Sequence, residues 1–189
     1  MILYSLKNIS HKIDSKKVIS NLSNTINSGE ITEIRGKNGS GKTTLLKILT
    51  GLIYSKDLHC HAEIQNNISY LGHKNGLVEE ITLRQNFEIL DLDLENDLFN
   101  KFNLARSKNQ KVFNLSYGEK RKAALIRVIC SNRKIWIMDE PFAGLDSSSI
   151  SELKIIIKMH VDTGGTVILS NHQEELKDSK KINLEFKDD

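Results

Sequence analysis

Proline occurs once in this chain of 189 residues, at Pro141, and cysteine twice, at Cys60 and Cys130. Two cysteines allow at most one disulfide, so no disulfide framework is expected, and a reducing compartment is the default. Cys130 falls in an apolar helical stretch and is expected to be a buried thiol. His59-Cys60-His61 is no metal site, because neighbours at i, i+1 and i+2 do not converge on one ion in a strand or a helix. No apolar run approaches the roughly 18 residues needed to span a bilayer. Met1-Ile2-Leu3-Tyr4-Ser5 lacks a charged segment followed by an apolar block, so no secretory leader is expected. Charge of one sign is also scarce: 27 Lys and Arg against 24 Asp and Glu leave a net +3. With no basic stripe interleaved with aromatics, nucleic acid is not an expected partner. Repeats, low-complexity tracts and interdomain linkers are missing too.

What remains is a chain of ordinary composition, 39% hydrophobic and 27% charged, long enough to bury a proper core in a single domain over residues 1–189. Its organising stretch is Gly36-Lys37-Asn38-Gly39-Ser40-Gly41-Lys42-Thr43-Thr44, which fits the phosphate-loop pattern G-x-x-x-x-G-K-[ST] in full. Glu30 to Arg35 before it reads as a strand, and Thr44 onward, to about Leu52, reads as a helix. That context lets glycine-rich backbone turn its N–H groups toward phosphate oxygens at the positive end of a helix. Lys42 can reach the β- and γ-phosphates and the Thr43 hydroxyl can coordinate Mg²⁺, which makes this a nucleoside-triphosphate site.

Around the loop, residues 2–9 and 17–27 read as strands with one face wet, and Asn27-Ser28-Gly29 as a turn. Short strands are expected at Ala62-Glu63-Ile64 and at Ile68–Leu71. Helical periodicity follows from an N-cap at Thr82 and again over 94–104. A helix from Tyr117 to about Ser131 precedes the continuous apolar run Ile135-Trp136-Ile137-Met138, typical of a central parallel strand. Ser147 or Ser148 caps the next helix, which Gly164-Gly165 ends before the strand Thr166–Leu169, and residues 182–186 add an edge strand. Strands alternating with helices predict a three-layer α/β core with a parallel central sheet.

Three further groups carry chemistry. The strand 135–138 ends in Asp139, placed to hold a Mg²⁺ shell, and Glu140, placed to orient or deprotonate an attacking water. Leu115-Ser116-Tyr117-Gly118-Glu119 opens a basic helix with a hydroxyl and a bare backbone, a second phosphate-facing helix start. One chain already has its phosphate cradle, so this second one makes sense for a nucleotide bound to another copy. Gly144-Leu145-Asp146 and His172, the latter just past a strand's carboxyl end, complete the set.

In this motif order the chain resembles, over essentially its whole length, the nucleotide-binding domains of ATP-binding-cassette (ABC) proteins. The resemblance implies an ABC-type P-loop NTPase fold, with a parallel central sheet, an antiparallel β subdomain and a small helical subdomain at about 74–131. It implies a head-to-tail homodimer with two Mg²⁺-ATP sandwiched between one subunit's phosphate loop and the other's Ser116 and Gly118. Asp146 is the D-loop residue, Glu140 the general base and His172 the switch histidine. Integral membrane subunits are the implied partners, with the ATPase peripheral on the cytoplasmic face of the inner membrane, and residues 73–90 the docking surface.

Within the family the chain is similar to the ATP-binding subunits of haem exporters in cytochrome c maturation. Residues 71–77, Asp139-Glu140-Pro141-Phe142 and 165–173 carry that likeness, and the chain stops 17 residues after His172, so no C-terminal regulatory domain is expected. It departs from the wider family in three places. His73 stands where a glutamine is usual, Glu119 replaces the signature glutamine, and no aromatic aligns with the adenine-stacking position near His11, Lys12 and Ile13, where His11 is the candidate. An ABC transporter subunit for another substrate, a soluble ABC ATPase acting on DNA or ribosomes, and a P-loop kinase are the competing readings. The absence of long coiled-coil insertions or a second cassette argues against the soluble ATPase, and the 115–119 signature with Asp146 and His172 against the kinase.

Overall fold

A computed structural model describes residues 1–94, 97–171, 174 and 176–184. The chain begins with two twelve-residue strands, β1 (Ile2–Ile13) and β2 (Lys16–Asn27), paired antiparallel. Asp14 and Ser15 both have positive φ, 47° and 67°, the two-residue reversal whose twist matches that of the flanking strands. β3 (Ile31–Arg35) leads through the phosphate loop into α1 (Lys42–Leu49). β4 (Leu58–Cys60) adds to the hairpin on the β1 side, giving the order β2-β1-β4. The expected strand at 62–64 is a 3-10 turn, Ala62–Asn67, and the strand lies earlier, where Leu58 to Cys60 pair with Leu6 to Tyr4.

β5 (Ile68–Leu71) is followed by α2 (Leu83–Glu88), α3 (Leu98–Lys101), α4 (Tyr117–Cys130), β6 (Ile135–Met138), α5 (Ser147–Asp162), β7 (Thr166–Ser170) and β8 (Lys180–Asn183). Thr82 caps α2 as expected, in a reciprocal box with Gln85. Cys130 is half-buried, not fully enclosed, because it closes α4 at the rim of the core. The edge strand comes two residues earlier than expected, and 185–186 of that expectation lie outside the described residues.

The five-stranded sheet runs β5-β6-β7-β3-β8, and every pairing in it is parallel. Both faces are covered, which is why β6 and β7 read as unbroken apolar runs. Ile135, Ile137 and Ile168 face a core shared with α1 and the antiparallel sheet, containing Leu45, Leu46, Ile48, Tyr4 and Ile26. Trp136, Met138, Val167 and Leu169 face the opposite core, with α2 to α5 supplying Phe87, Phe99, Leu125, Leu153 and Ile157. The Tyr4 hydroxyl, fully buried, donates to Leu49 O at 3.0 Å and locks the antiparallel sheet to the end of α1. Among the described residues, no helix is long and apolar enough to cross a membrane.

Phe87 and Phe99 meet edge to face with centroids 5.2 Å apart, and this pair is what α2 and α3 share. Phe99→Ala removes a side chain that is 1% exposed and should cost about 3–5 kcal/mol. Urea denaturation should show the midpoint falling with the slope unchanged. A loss under about 1 kcal/mol would mean that the α3 region repacks freely.

Candidate functional site

β3 and β6 are not neighbours; β7 runs between them, and the three C-terminal ends lie at one edge of the sheet. From β3 the chain enters the phosphate loop. Gly41 closes it at φ 90°, and a Cβ there would lie 2.6 Å from Val18 O, so only glycine lets the loop press onto β2. Ser40 is buried beneath the loop, and Thr44, one turn into α1, is buried as well. Lys42 is 6% exposed, its Nζ donating to Gly36 O at 2.9 Å and Lys37 O at 3.0 Å. Burial pushes its pKa down, while the charges of Glu140 and Asp139 oppose that shift.

Across the gap, Thr43 Oγ1 donates to Asp139 Oδ2 at 2.7 Å. The other carboxylate oxygen, Oδ1, accepts from Ser170 Oγ at 2.6 Å, and Ser170 Oγ in turn accepts the Glu140 N–H at 2.7 Å. Ser170 ends β7, so the intervening strand anchors both the Asp139 carboxylate and the Glu140 backbone, while Thr43 reaches Asp139 directly. Sequence reasoning missed it; the signal would have been the parallel register that places β7 between the other two. Asp139 is 2% exposed, whereas Glu140 opens toward a cavity of about 730 Å³. Asn38, Gly39, Gly41, Lys42, Thr43, Thr44, His73 and Glu140 line that cavity together.

The cavity's apolar wall is Ile13 and Val18, not the expected His11. The β1–β2 pairing is irregular between His11 and Lys12, so simple alternation does not carry His11 to the cavity side. His73 lines a second cavity as well, about 490 Å³, with Asn75, Leu77, Glu79, Tyr117 and Lys120.

Ser116, Gly118 and Asp146 are not among the residues lining the nucleotide-sized cavity. Exposed Ser116 caps α4, its Oγ accepting the Glu119 N–H at 3.3 Å while Glu119 Oε2 accepts the Ser116 N–H at 2.9 Å. These bonds to Ser116 hold the Glu119 carboxyl below its ordinary range. Gly118 sits against the turn after β6: a Cβ would lie 2.8 Å from Gly144 O. The cap of α5 is Asp146, one or two residues before the expected Ser147 or Ser148. Its carboxylate reaches Ser149 N at 2.8 Å, accepts from Ser148 Oγ at 2.6 Å and pairs with Lys122 Nζ at 2.5 Å. A serine could not offer the charge that Lys122 takes up. His172 lies outside the described residues.

A phosphate cradle between strand and helix, joined through Thr43 to a buried strand-end carboxylate, defines a P-loop nucleotide-binding domain. Residues 19–143 match the ABC transporter family, and the chain belongs to that family of ATP-binding ATPases. It is 34% identical to the cytochrome c biogenesis ATP-binding export protein CcmA of Colwellia psychrerythraea, over 97% of this chain and 93% of that protein. With the CcmA of Shewanella sp. strain MR-7 it shares 36% identity over 88% of this chain and 86% of that one. The fold agrees with a solved ATP-binding subunit of an ABC transporter (TM-score 0.79, 23% identity, 90% of this chain and 80% of that one). It also agrees with an ATP-binding cassette in a dimeric post-hydrolysis state bound to ADP and Pi (TM-score 0.76, 22% identity, 90% and 88%).

Lys122 first, then the Ser148 and Ser149 donors, holds the Asp146 carboxyl well below the ordinary carboxylate range. A carboxyl depressed in the folded state stabilises above its unfolded pKa, and loses that contribution as pH falls through the folded one. Asp146→Asn should therefore melt lower than wild type at pH 7, with the gap closing as pH drops below about 4. Thermal melts of both proteins across that range test it, and a gap that persists unchanged in acid would remove Asp146 as its source.

Proposed function

We propose that the chain is the ATP-hydrolysing subunit of an ABC transporter for haem export in cytochrome c maturation. The observation that carries the catalytic part is the 2.7 Å Thr43–Asp139 hydrogen bond, with Lys42 and Glu140 on the same cavity. Gly36, Asn38, Gly39, Ser40, Gly41 and Thr44 build the cradle around the phosphates, and Ile13 and Val18 offer the base an apolar wall. Thr43 and Asp139 would hold Mg²⁺; a hydroxyl and a carboxylate oxygen in mutual reach suit a hard cation. The ion, when bound, neutralises charge on the phosphate oxygens. Lys42 adds a fixed positive charge, and Glu140 takes the proton of the water that attacks the γ-phosphorus.

The transport part rests on the likeness to CcmA proteins, named for cytochrome c biogenesis and export. Ser116 and Asp146 are exposed, Gly118 is half-buried, and none of the three lines the phosphate-loop cavity, which suits groups that complete a second copy's nucleotide site. The working unit is then a head-to-tail homodimer, peripheral on the cytoplasmic face of the inner membrane, with His172 as the switch histidine. Residues 73–90, in the helical segment at about 74–131, dock the membrane subunits. Leu77 lines the second cavity there, and Val78 is 50% exposed.

Glu140→Gln keeps the shape and loses the base, so hydrolysis should fall by about 10²–10⁴ while ATP still binds. Gel filtration with Mg²⁺ and ATP should show the variant as a dimer. Hydrolysis at the wild-type rate would place the base elsewhere.

His73 touches both cavities, and a neutral imidazole can accept at one nitrogen while donating at the other. It is the proposed relay between the phosphates and the docked partner. His73→Ala should bind ATP normally but lose stimulation by the membrane subunits, with His73→Gln restoring much of it. Equal stimulation of wild type and His73→Ala would end that reading.

A further inference from the structure

Arg121 is among the largest fully buried side chains of the molecule, 1% exposed, and the bonds that pair it run to neutral oxygens. It stands in α4, yet its guanidinium reaches two segments outside that helix. Nη1 donates to Gly72 O at 3.0 Å and to Asn75 Oδ1 at 3.1 Å, on the stretch that follows β5. Nη2 donates to Asp139 O and, at 2.9 Å, to Glu140 O, on the stretch that follows β6. Nε is buried with no hydrogen-bond partner. Enclosing a cation and leaving one of its donors unpaired is a poor way to gain stability. It is an effective way to fix backbone.

The backbone it fixes needs fixing. Glu140 has φ 47°, the left-handed region that a side-chain-bearing residue enters at a cost. Its N–H is held by Ser170 Oγ and its carbonyl by Arg121. With both flanking peptides pinned, the Cα–Cβ direction is set, and Glu140 lines the cavity together with Lys42 and Thr43.

We propose that Arg121 is a positioning residue for hydrolysis, holding Glu140 in its left-handed conformation so that the carboxylate faces the attacking water. The inference rests on Glu140 being the base. Lysine cannot replace the arginine, because one ammonium nitrogen cannot grip the 72–75 and 139–140 segments as a fork does.

Four variants decide the matter: Arg121→Met, Arg121→Lys, Glu140→Gln, and Arg121→Met combined with Glu140→Gln. Steady-state and single-turnover hydrolysis are measured alongside binding of a fluorescent ATP analogue. Arg121→Met should lose about 10²-fold in kcat with nucleotide affinity unchanged, as misplacement of a catalytic group by about 1 Å does. Arg121→Lys should recover only part of this. In the Glu140→Gln background the arginine substitution should cost nothing more, since it acts through a base already gone. Wild-type kcat in Arg121→Met, or an equal further loss in the double variant, overturns the proposal. Should Arg121→Met fail to fold, Arg121→Lys decides alone: unchanged affinity with reduced kcat supports the role, and wild-type kcat refutes it. Glu140→Gln hydrolysing at the wild-type rate is a separate outcome, and it removes the reading of Glu140 together with everything built on it.

Discussion

The site depends on one constraint, the parallel register that brings the ends of β3, β7 and β6 to the same edge of the sheet. Thr43 belongs to the helix after β3, Ser170 to the end of β7 and Asp139 to the end of β6, and short hydrogen bonds join all three. A slip of one residue in any strand would turn its side chains to the other face and dissolve the chain of contacts. Register here is strongly specified, because both faces of the sheet are buried. Ile137 and Ile168 must point to α1, Trp136 and Leu169 to α4 and α5. Packing of the two cores is thus what holds a hydroxyl against a carboxylate.

Much of this was legible before any coordinates. The phosphate loop announces itself because its chemistry demands local residue types at fixed spacing, and Asp139-Glu140 stands out because it ends an apolar run. Both are properties of contiguous stretches. Ser170 and Arg121 were not legible in the same way. Nothing about a serine at a strand end or an arginine in a basic helix says what it touches; their roles arise only when β7 inserts between two other strands and α4 folds over the loop at 72–75. The misplaced strand at 62–64 has a similar origin. A three-residue stretch such as Ala62-Glu63-Ile64 is too short to distinguish a strand from a 3-10 turn, and pairing with β1 chose Leu58 to Cys60 instead.

Helix starts show the same division. Thr82 was readable as a cap because a threonine stands just where helical periodicity through Leu83 and Phe87 begins, a local pattern. At α5 the sequence offers Asp146, Ser147 and Ser148 in a row, and local rules favour any of them. Lys122, 24 residues away, breaks the tie, because only a carboxylate both caps the helix and answers its charge. Long-range electrostatics decided what propensity left open.

The Ser116–Glu119 box has a consequence for any anion that approaches α4. A helix terminus presents a small set of unclaimed N–H donors and a partial positive charge. Here the chain has filled part of that vacancy itself: Glu119 supplies a carboxylate in place, bonded to the Ser116 N–H and, at 2.8 Å, to its hydroxyl. An arriving phosphate therefore meets a terminus already partly neutralised by a tethered competitor. It must displace the carboxylate from the serine, or settle for the amides of Tyr117 and Gly118. The helix carries its own decoy ligand, and the ease with which that decoy lets go sets how tightly a true one can be held.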